Sequence, residues 1–121
     1  MTVLDASAVL AFLQGESGAD LVEQELSGGA VCGAANWSEV AQKVQRRSGD
    51  WSLARALLLS YDLDVAPVEL IDGERAANLW TEYPHLSLGD RLCLALAERL
   101  VTEAVTADGA WGSTAGIRQI R

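Results

Sequence analysis

Short apolar runs alternate along the chain with longer segments whose apolar residues recur at helical spacing. The opening VLD runs into Asp5, and SAVLAFL behind it sets Val9, Leu10 and Leu13 on one helical side. A first strand therefore hands over to a first helix at Asp5. Gly15 and Gly18 punctuate the chain, and SGADLVEQEL then predicts a second helix with Leu21, Val22 and Leu26 on one side, stopped by Gly28 and Gly29. AVCG is too short and apolar for anything but a buried strand. NWSEVAQKVQRR resumes helical spacing through Trp37, Val40, Ala41 and Val44, with Glu39 in its first turn or two.

In the second half, WSLARALLLSYD predicts a helix with Leu53, Leu57 and Leu58 along its apolar side. DVAPVEL reads as a short strand-like return before a helix over GERAANLWTEY, which Pro84 ends. Leu88, Leu92, Leu96 and Leu100 recur every four residues on one stripe of a helix that Ser87 can cap, with Asp90 in its first turn. EAVTAD is a short strand ending in a carboxylate, GAWGSTAG a turn, and IRQI alternates like a strand. About five short strands alternating with helices predict an α/β fold, a mainly parallel sheet with helices on both faces. With 121 residues, half of them apolar, the chain suffices for one domain over residues 1–121.

Composition narrows the function. No apolar run is long enough for a membrane span, and the N-terminus carries an aspartate and no basic flank, unlike a secretory signal. Cys32 and Cys93 are far apart, lack zinc-site spacing and read as small buried hydrophobes, which fits a reducing cytoplasm. His85 stands alone, so neither a zinc site nor a Ser-His-Asp arrangement is expected. The net charge of −8 opposes extensive nucleic-acid binding unless bound cations supply the positive charge. The one basic cluster is Lys43, Arg46 and Arg47, a solvated helix face or a minor track for a phosphate backbone.

In open α/β sheets ligands bind beyond the carboxyl ends of the strands. Asp5 ends the first strand, Glu39 follows the second, Asp90 opens a helix and Asp108 follows a late strand, so all four can face one pocket. Carboxylates gathered at one place repel unless cations bind, and oxygen-only ligands favour Mg²⁺ or Mn²⁺. Singly, each has a plainer role: Asp5 and Asp108 as helix caps, Asp90 as the third-position acid of a capping box with Ser87, Glu39 as a solvated helix residue. Trp37, Trp51, Trp80 and Trp111 are expected to pack rather than stack on bases.

VLDASAVLAFL, NWSEVAQK, SLGDRLCLALA and VTADGAW follow one another in the order and spacing of the PIN-domain family, and the chain resembles its VapC-type toxins along its whole length. The resemblance implies a PIN-like three-layer sandwich and a metal-dependent endoribonuclease. Asp5, Glu39, Asp90 and Asp108 match the family's acidic, metal-holding and catalytic residues, Asp108 its most variable one. Ser7 and Thr106 match small hydroxyl residues beside the site, and Asn36 and Arg91 match polar positions flanking the second and third acids. One or two Mg²⁺ or Mn²⁺ ions would activate water against an RNA phosphodiester, leaving 5′-phosphate and 3′-hydroxyl ends. The implied partners are RNA, a cognate antitoxin and a second copy of the chain, with the apolar helices over residues 51–61 and 73–83 as the expected contact faces.

Two other classes compete. A PIN-like module without chemistry would serve binding alone, but all four acids are present. A receiver-like Mg²⁺-binding signalling domain needs an acid pair after the first strand and a late lysine, whereas the only lysine is Lys43. A haloacid-dehalogenase-like phosphatase needs D-x-D, which Asp5-Ala6-Ser7 breaks.

Overall fold

β1 (Thr2–Leu4) is buried throughout, and its side chains part to opposite faces: Val3 joins one apolar cluster and Leu4 the other. β2 (Ala30–Gly33) repeats this with Val31 and Cys32, and β4 (Ala104–Thr106) with Ala104 and Val105. This period of two is that of extended strands covered on both sides. β3 (Leu63–Ala66) and β5 (Ile117–Gln119) close the edges. The sheet order is β3-β2-β1-β4-β5, and every adjacent pair is parallel. The structure, a computed structural model, describes all 121 residues.

Four helices cover the Leu4 face: α1 (Ala6–Gln14), α2 (Ala19–Ser27), α3 (Ala34–Arg46) and α4 (Trp51–Leu59). α5 (Leu70–Leu79) and α6 (Leu88–Arg99) cover the Val3 face. The expected three-layer α/β sandwich is therefore present. No helix is long and apolar enough to cross a membrane.

Three elements differ in detail from the sequence pattern. β3 stops at Ala66 because Pro67 has no N–H for a ladder. α5 begins at Leu70, where Asp72 reaches back to accept from the Glu69 N–H at 3.0 Å, and ends at Leu79, well before Pro84. The chain turns early so that Leu86 can enter the core, 5% exposed. On α6 the four-residue leucine stripe is only part of the buried face: Leu96 is buried and Leu92 and Leu100 partly so, Leu88 is 56% exposed, and Cys93, Leu94, Ala95 and Ala97 are buried beside the stripe. α6 packs on the sheet and on α5 together, which buries more than one stripe.

Tryptophans pack as expected where they are covered. Trp37 and Trp51 meet edge to face at 5.2 Å, and Trp111 is buried in a short 3-10 turn, Gly109–Trp111. Trp80 lies open on the surface.

Candidate active site

The parallel register of β1 on β4 pairs Leu4 with Val105, and the Asp5 N–H continues it to the Val105 carbonyl at 3.1 Å. Asp5 and Thr106 therefore leave the sheet side by side. Here the strand order reverses, since β2 and β3 lie to one side of β1 and β4 and β5 to the other. Such a switch point opens a crevice between loops that diverge to opposite faces.

Asp5 is 2% exposed. It caps α1 by accepting from the Ala8 N–H at 2.8 Å, Thr106 Oγ1 donates to it at 2.6 Å, and Ser7 Oγ lies 2.8 and 2.9 Å from its two oxygens. Burial pushes its pKa up to about 6, against the lowering effect of the Thr106, Ala8 and Ser7 hydrogen bonds, and the charge of Asp90 raises it further. Both hydroxyls are themselves held: Thr106 Oγ1 accepts from the Asp108 N–H at 3.0 Å, and Ser7 Oγ from the Ala107 N–H at 2.9 Å. Strand β4 and the loop after it thus lock the first carboxylate.

Glu39 stands in the second turn of α3. Its Oε1 is 3.4 Å from Asn36 Nδ2, which also donates to the Gly89 carbonyl at 3.2 Å. Asn36 is buried and ties α3 to the first turn of α6. Gly89 completes this contact, because a Cβ there would collide with the Glu39 carboxylate. One residue on, Asp90 closes a capping box with Ser87: its N–H donates to Ser87 Oγ at 3.2 Å and its Oδ2 accepts from the Ser87 N–H at 3.3 Å.

Asp5, Glu39 and Asp90 come from three elements, and their fields meet at two buried thiols. Burial raises Cys32 to about 12, with Asp5 and Glu39 adding to it; burial also raises Cys93 well above the ordinary thiol value, with Asp5, Asp90 and Glu39 among the contributing charges. The thiols stay protonated. None of the three acids, nor Asp108, has a cationic partner, whereas Glu16, Glu25, Glu69, Asp72 and Glu98 all pair with arginines. No group of three or more aspartate, glutamate, histidine and cysteine side chains stands close enough to hold a metal ion jointly.

Asp108 lies apart from the other three. Its Oδ1 accepts from the Ala110 N–H at 2.9 Å, and it lines a groove that Ser7 shares with the Asp5 site. It is linked to Asp5 only through Thr106. Arg91 is not at the acids: it donates to the Ala76 carbonyl at 2.7 Å and the Leu86 carbonyl at 3.4 Å, fastening α6 to α5. Gly89 is the contributor that pattern reading passed over. Its signal was a glycine inside a helical first turn, where glycine is costly unless space demands it.

A sequence model of the PIN domain matches residues 2–117. The chain belongs to the PIN-domain family. The strand order β3-β2-β1-β4-β5 also separates this PIN domain from receiver domains, which order their strands 2-1-3-4-5. A search of curated protein sequences returns no match. Among solved structures, the PIN domain is similar to a toxin-antitoxin complex from Klebsiella pneumoniae, with TM-score 0.81, 18% identity, and 100% of this chain and 98% of that one covered. The sarcin-ricin-loop-cleaving toxin VapC20 of Mycobacterium tuberculosis gives TM-score 0.71 at 18% identity, covering 90% and 91%. VapBC2 of Rickettsia felis, bound to a DNA fragment of its promoter, gives 0.72 at 14%, covering 98% and 96%. At these identities the likeness is one of fold.

Proposed function

We propose that this PIN domain is a metal-dependent endoribonuclease and the toxin of a VapBC-type pair. The observation that carries the reading is Asp5, a carboxylate 2% exposed, without a cationic partner, at the switch point and in the field of Asp90. A buried carboxylate and a neighbouring partly exposed one repel each other, and a divalent cation relieves that repulsion. An all-oxygen donor set selects a hard ion, Mg²⁺ or Mn²⁺. Asp5, Glu39 and Asp90 would hold it after their side chains turn inward, since as they stand they form no joint cluster, and Asp108 would serve a weaker second ion directly or through water. In Asp90 and Asp108 one carboxylate oxygen serves a helix end and the other is free of hydrogen bonds.

Held by these acids, such ions would supply a nucleophilic water and charge to stabilise the leaving 3′ oxygen. The chain's own residues orient the acids. Ser7 and Thr106 fix both Asp5 oxygens, and Asn36 ties Glu39 to the Gly89 carbonyl in the first turn of α6. Second-layer hydrogen bonds of this kind set ligand geometry and basicity.

The structural relatives include toxin-antitoxin complexes, which supports a cognate antitoxin as partner. Leu53 on α4, and Leu70, Ile71 and Trp80 at the two ends of α5, are exposed apolar side chains suited to the antitoxin or a second copy. The work is assigned to the cytoplasm, where RNA and a reducing environment coincide.

The test is cleavage of total RNA by the purified chain and its Asp5→Asn variant, with Mn²⁺ or a chelator, and mapping of the new 5′ ends. Cuts bearing 5′-phosphates are expected from the wild type with Mn²⁺, and none with chelator or from the variant. A folded Asp5→Asn chain that cuts as well as wild type overturns the reading.

A further inference from the structure

Five of the nine cationic side chains pair with no acid: Lys43, Arg46, Arg47, Arg55 and Arg91. Arg91 is occupied by carbonyls, and Arg55 stands on the outer side of α4. The other three crowd the last turn of α3 and its C-cap. Cations at a helix C-terminus complement its dipole, which accounts for Arg46. Lys43 and Arg47 do something more, because both line a groove of about 440 Å³ together with Ser7, Ala107, Asp108 and Gly109.

This groove begins at the acid site. Ser7 contacts Asp5 directly, and Asp108 is joined to Asp5 through Thr106. Arg121 also lines it, held by Glu16 at 3.4 Å and by the Ser17 carbonyl at 3.5 Å. With that pair neutral, Lys43 and Arg47 face the single charge of Asp108.

We propose that the groove is the subsite for the backbone phosphates that flank the scissile one on the Asp108 side, with Lys43 and Arg47 as their positioning residues. The inference rests on the nuclease reading and gives the RNA strand a path on this molecule. A polynucleotide suits the groove better than a peptide does. Only two of its ten lining residues are apolar, so it lacks the pockets that anchor a peptide's side chains. The neighbouring cavity of about 340 Å³ between α1, α3 and α4 is the opposite, with Leu10, Leu13, Val44, Leu53 and Leu57 in its lining. The groove also answers the charge problem of an acidic chain that handles RNA: its free cations are few, and two of them stand where the substrate leaves the site.

The experiment uses the full chain with Asp5→Asn as a background that leaves RNA intact. A short fluorescein-labelled single-stranded uridine oligomer is titrated by anisotropy at rising KCl, with and without Lys43→Gln and Arg47→Gln together. Arg55→Gln serves as the control cation outside the groove. The double substitution is expected to weaken binding about tenfold or more at low salt, and to flatten the log-log salt dependence by about 1 to 1.5, at ~0.7 per phosphate contact. Arg55→Gln is expected to change neither. Binding and slope unchanged in the double variant, or reduced no more than by Arg55→Gln, overturn the proposal, as does loss of affinity for a polyglutamate peptide with RNA binding intact. Wild-type cleavage is assayed in parallel with Mn²⁺. A wild type that never cuts sinks the nuclease reading, while the anisotropy result still decides the groove; cleavage with unchanged binding sinks the groove alone.

Discussion

Thr106 donates a 2.6 Å hydrogen bond to Asp5 across the seam between β1 and β4, and the same hydroxyl oxygen accepts the Asp108 N–H at 3.0 Å. One buried side chain therefore sets both the first carboxylate and the loop that carries the last. Thr106 itself is 0% exposed, so neither bond can be replaced by water without opening the sheet end.

Thr106→Val keeps the shape and removes both roles. It is expected to lose about 1–3 kcal/mol of stability by denaturant unfolding, whereas Thr106→Ser retains most of it. A Val variant as stable as wild type would show that the two bonds contribute nothing net.

Asp5 makes the metal-free chain sensitive to pH. Its folded pKa of about 6 lies above the ordinary 3.8, so the folded state binds the proton more tightly. Stability from this group is full below about pH 4 and falls as pH rises to about 6, by on the order of 3 kcal/mol. Asp5→Asn can keep its contacts, its amide donating to Thr106, and is expected to abolish that fall. Mn²⁺ at pH 7 is expected to raise the wild-type melting temperature and leave that of the Asp5→Asn chain unchanged. Thermal melts at pH 4, 5, 6 and 7 with and without Mn²⁺ check all three outcomes.

Asp72 titrates in the opposite sense. Its carboxylate is 3% exposed, and Arg99, at 2.7 and 3.1 Å, holds its pKa below the ordinary value. Its contribution is present above the unfolded pKa near 3.8 and is lost as pH falls through the lower, folded one. Arg99→Met leaves that buried carboxylate without its partner, and the arginine's partial exposure, 29%, places the expected cost at about 2–3 kcal/mol. Acid titration by circular dichroism should show the variant unfolding at a higher pH than wild type.

Gly89→Ala separates stability from function. A first-turn alanine gains up to about 1 kcal/mol over glycine, while its Cβ takes the space of the Glu39 carboxylate, the mobile end of a side chain that can swing away. Folding is expected to hold or improve as Mn²⁺ affinity and RNA cleavage drop about 10- to 100-fold. Equal cleavage by the variant would mean that Glu39 does not act from where it stands.

Much of the fold is legible because its signals are local. Val3 and Leu4, or Ala104 and Val105, alternate within single strands, and Asp5, Asp50 and Ser87 cap helices through atoms three residues away. The end of α5 is not local: it depends on Leu86 reaching the core. Nor is the full buried face of α6, where leucine spacing finds Leu96 but packing against both sheet and α5 leaves Leu88 out and adds Cys93, Leu94, Ala95 and Ala97.

The sequence by itself determined the alternation of strands and helices, the positions of four acids at element ends, and the absence of any long apolar span. Tertiary structure decided which acids come within reach of one another's charge. Asp5, Glu39 and Asp90 share a field because β1, α3 and α6 converge where the strand order reverses, and no spacing along the chain encodes that reversal. It likewise set Arg91 against α5, brought Gly89 under Glu39, and placed Lys43 and Arg47 in one groove with Asp108. Caps and periodicity act over a few residues through backbone geometry, whereas a site is made by contacts between residues as distant as Asp5 and Thr106, fixed only once the sheet has formed.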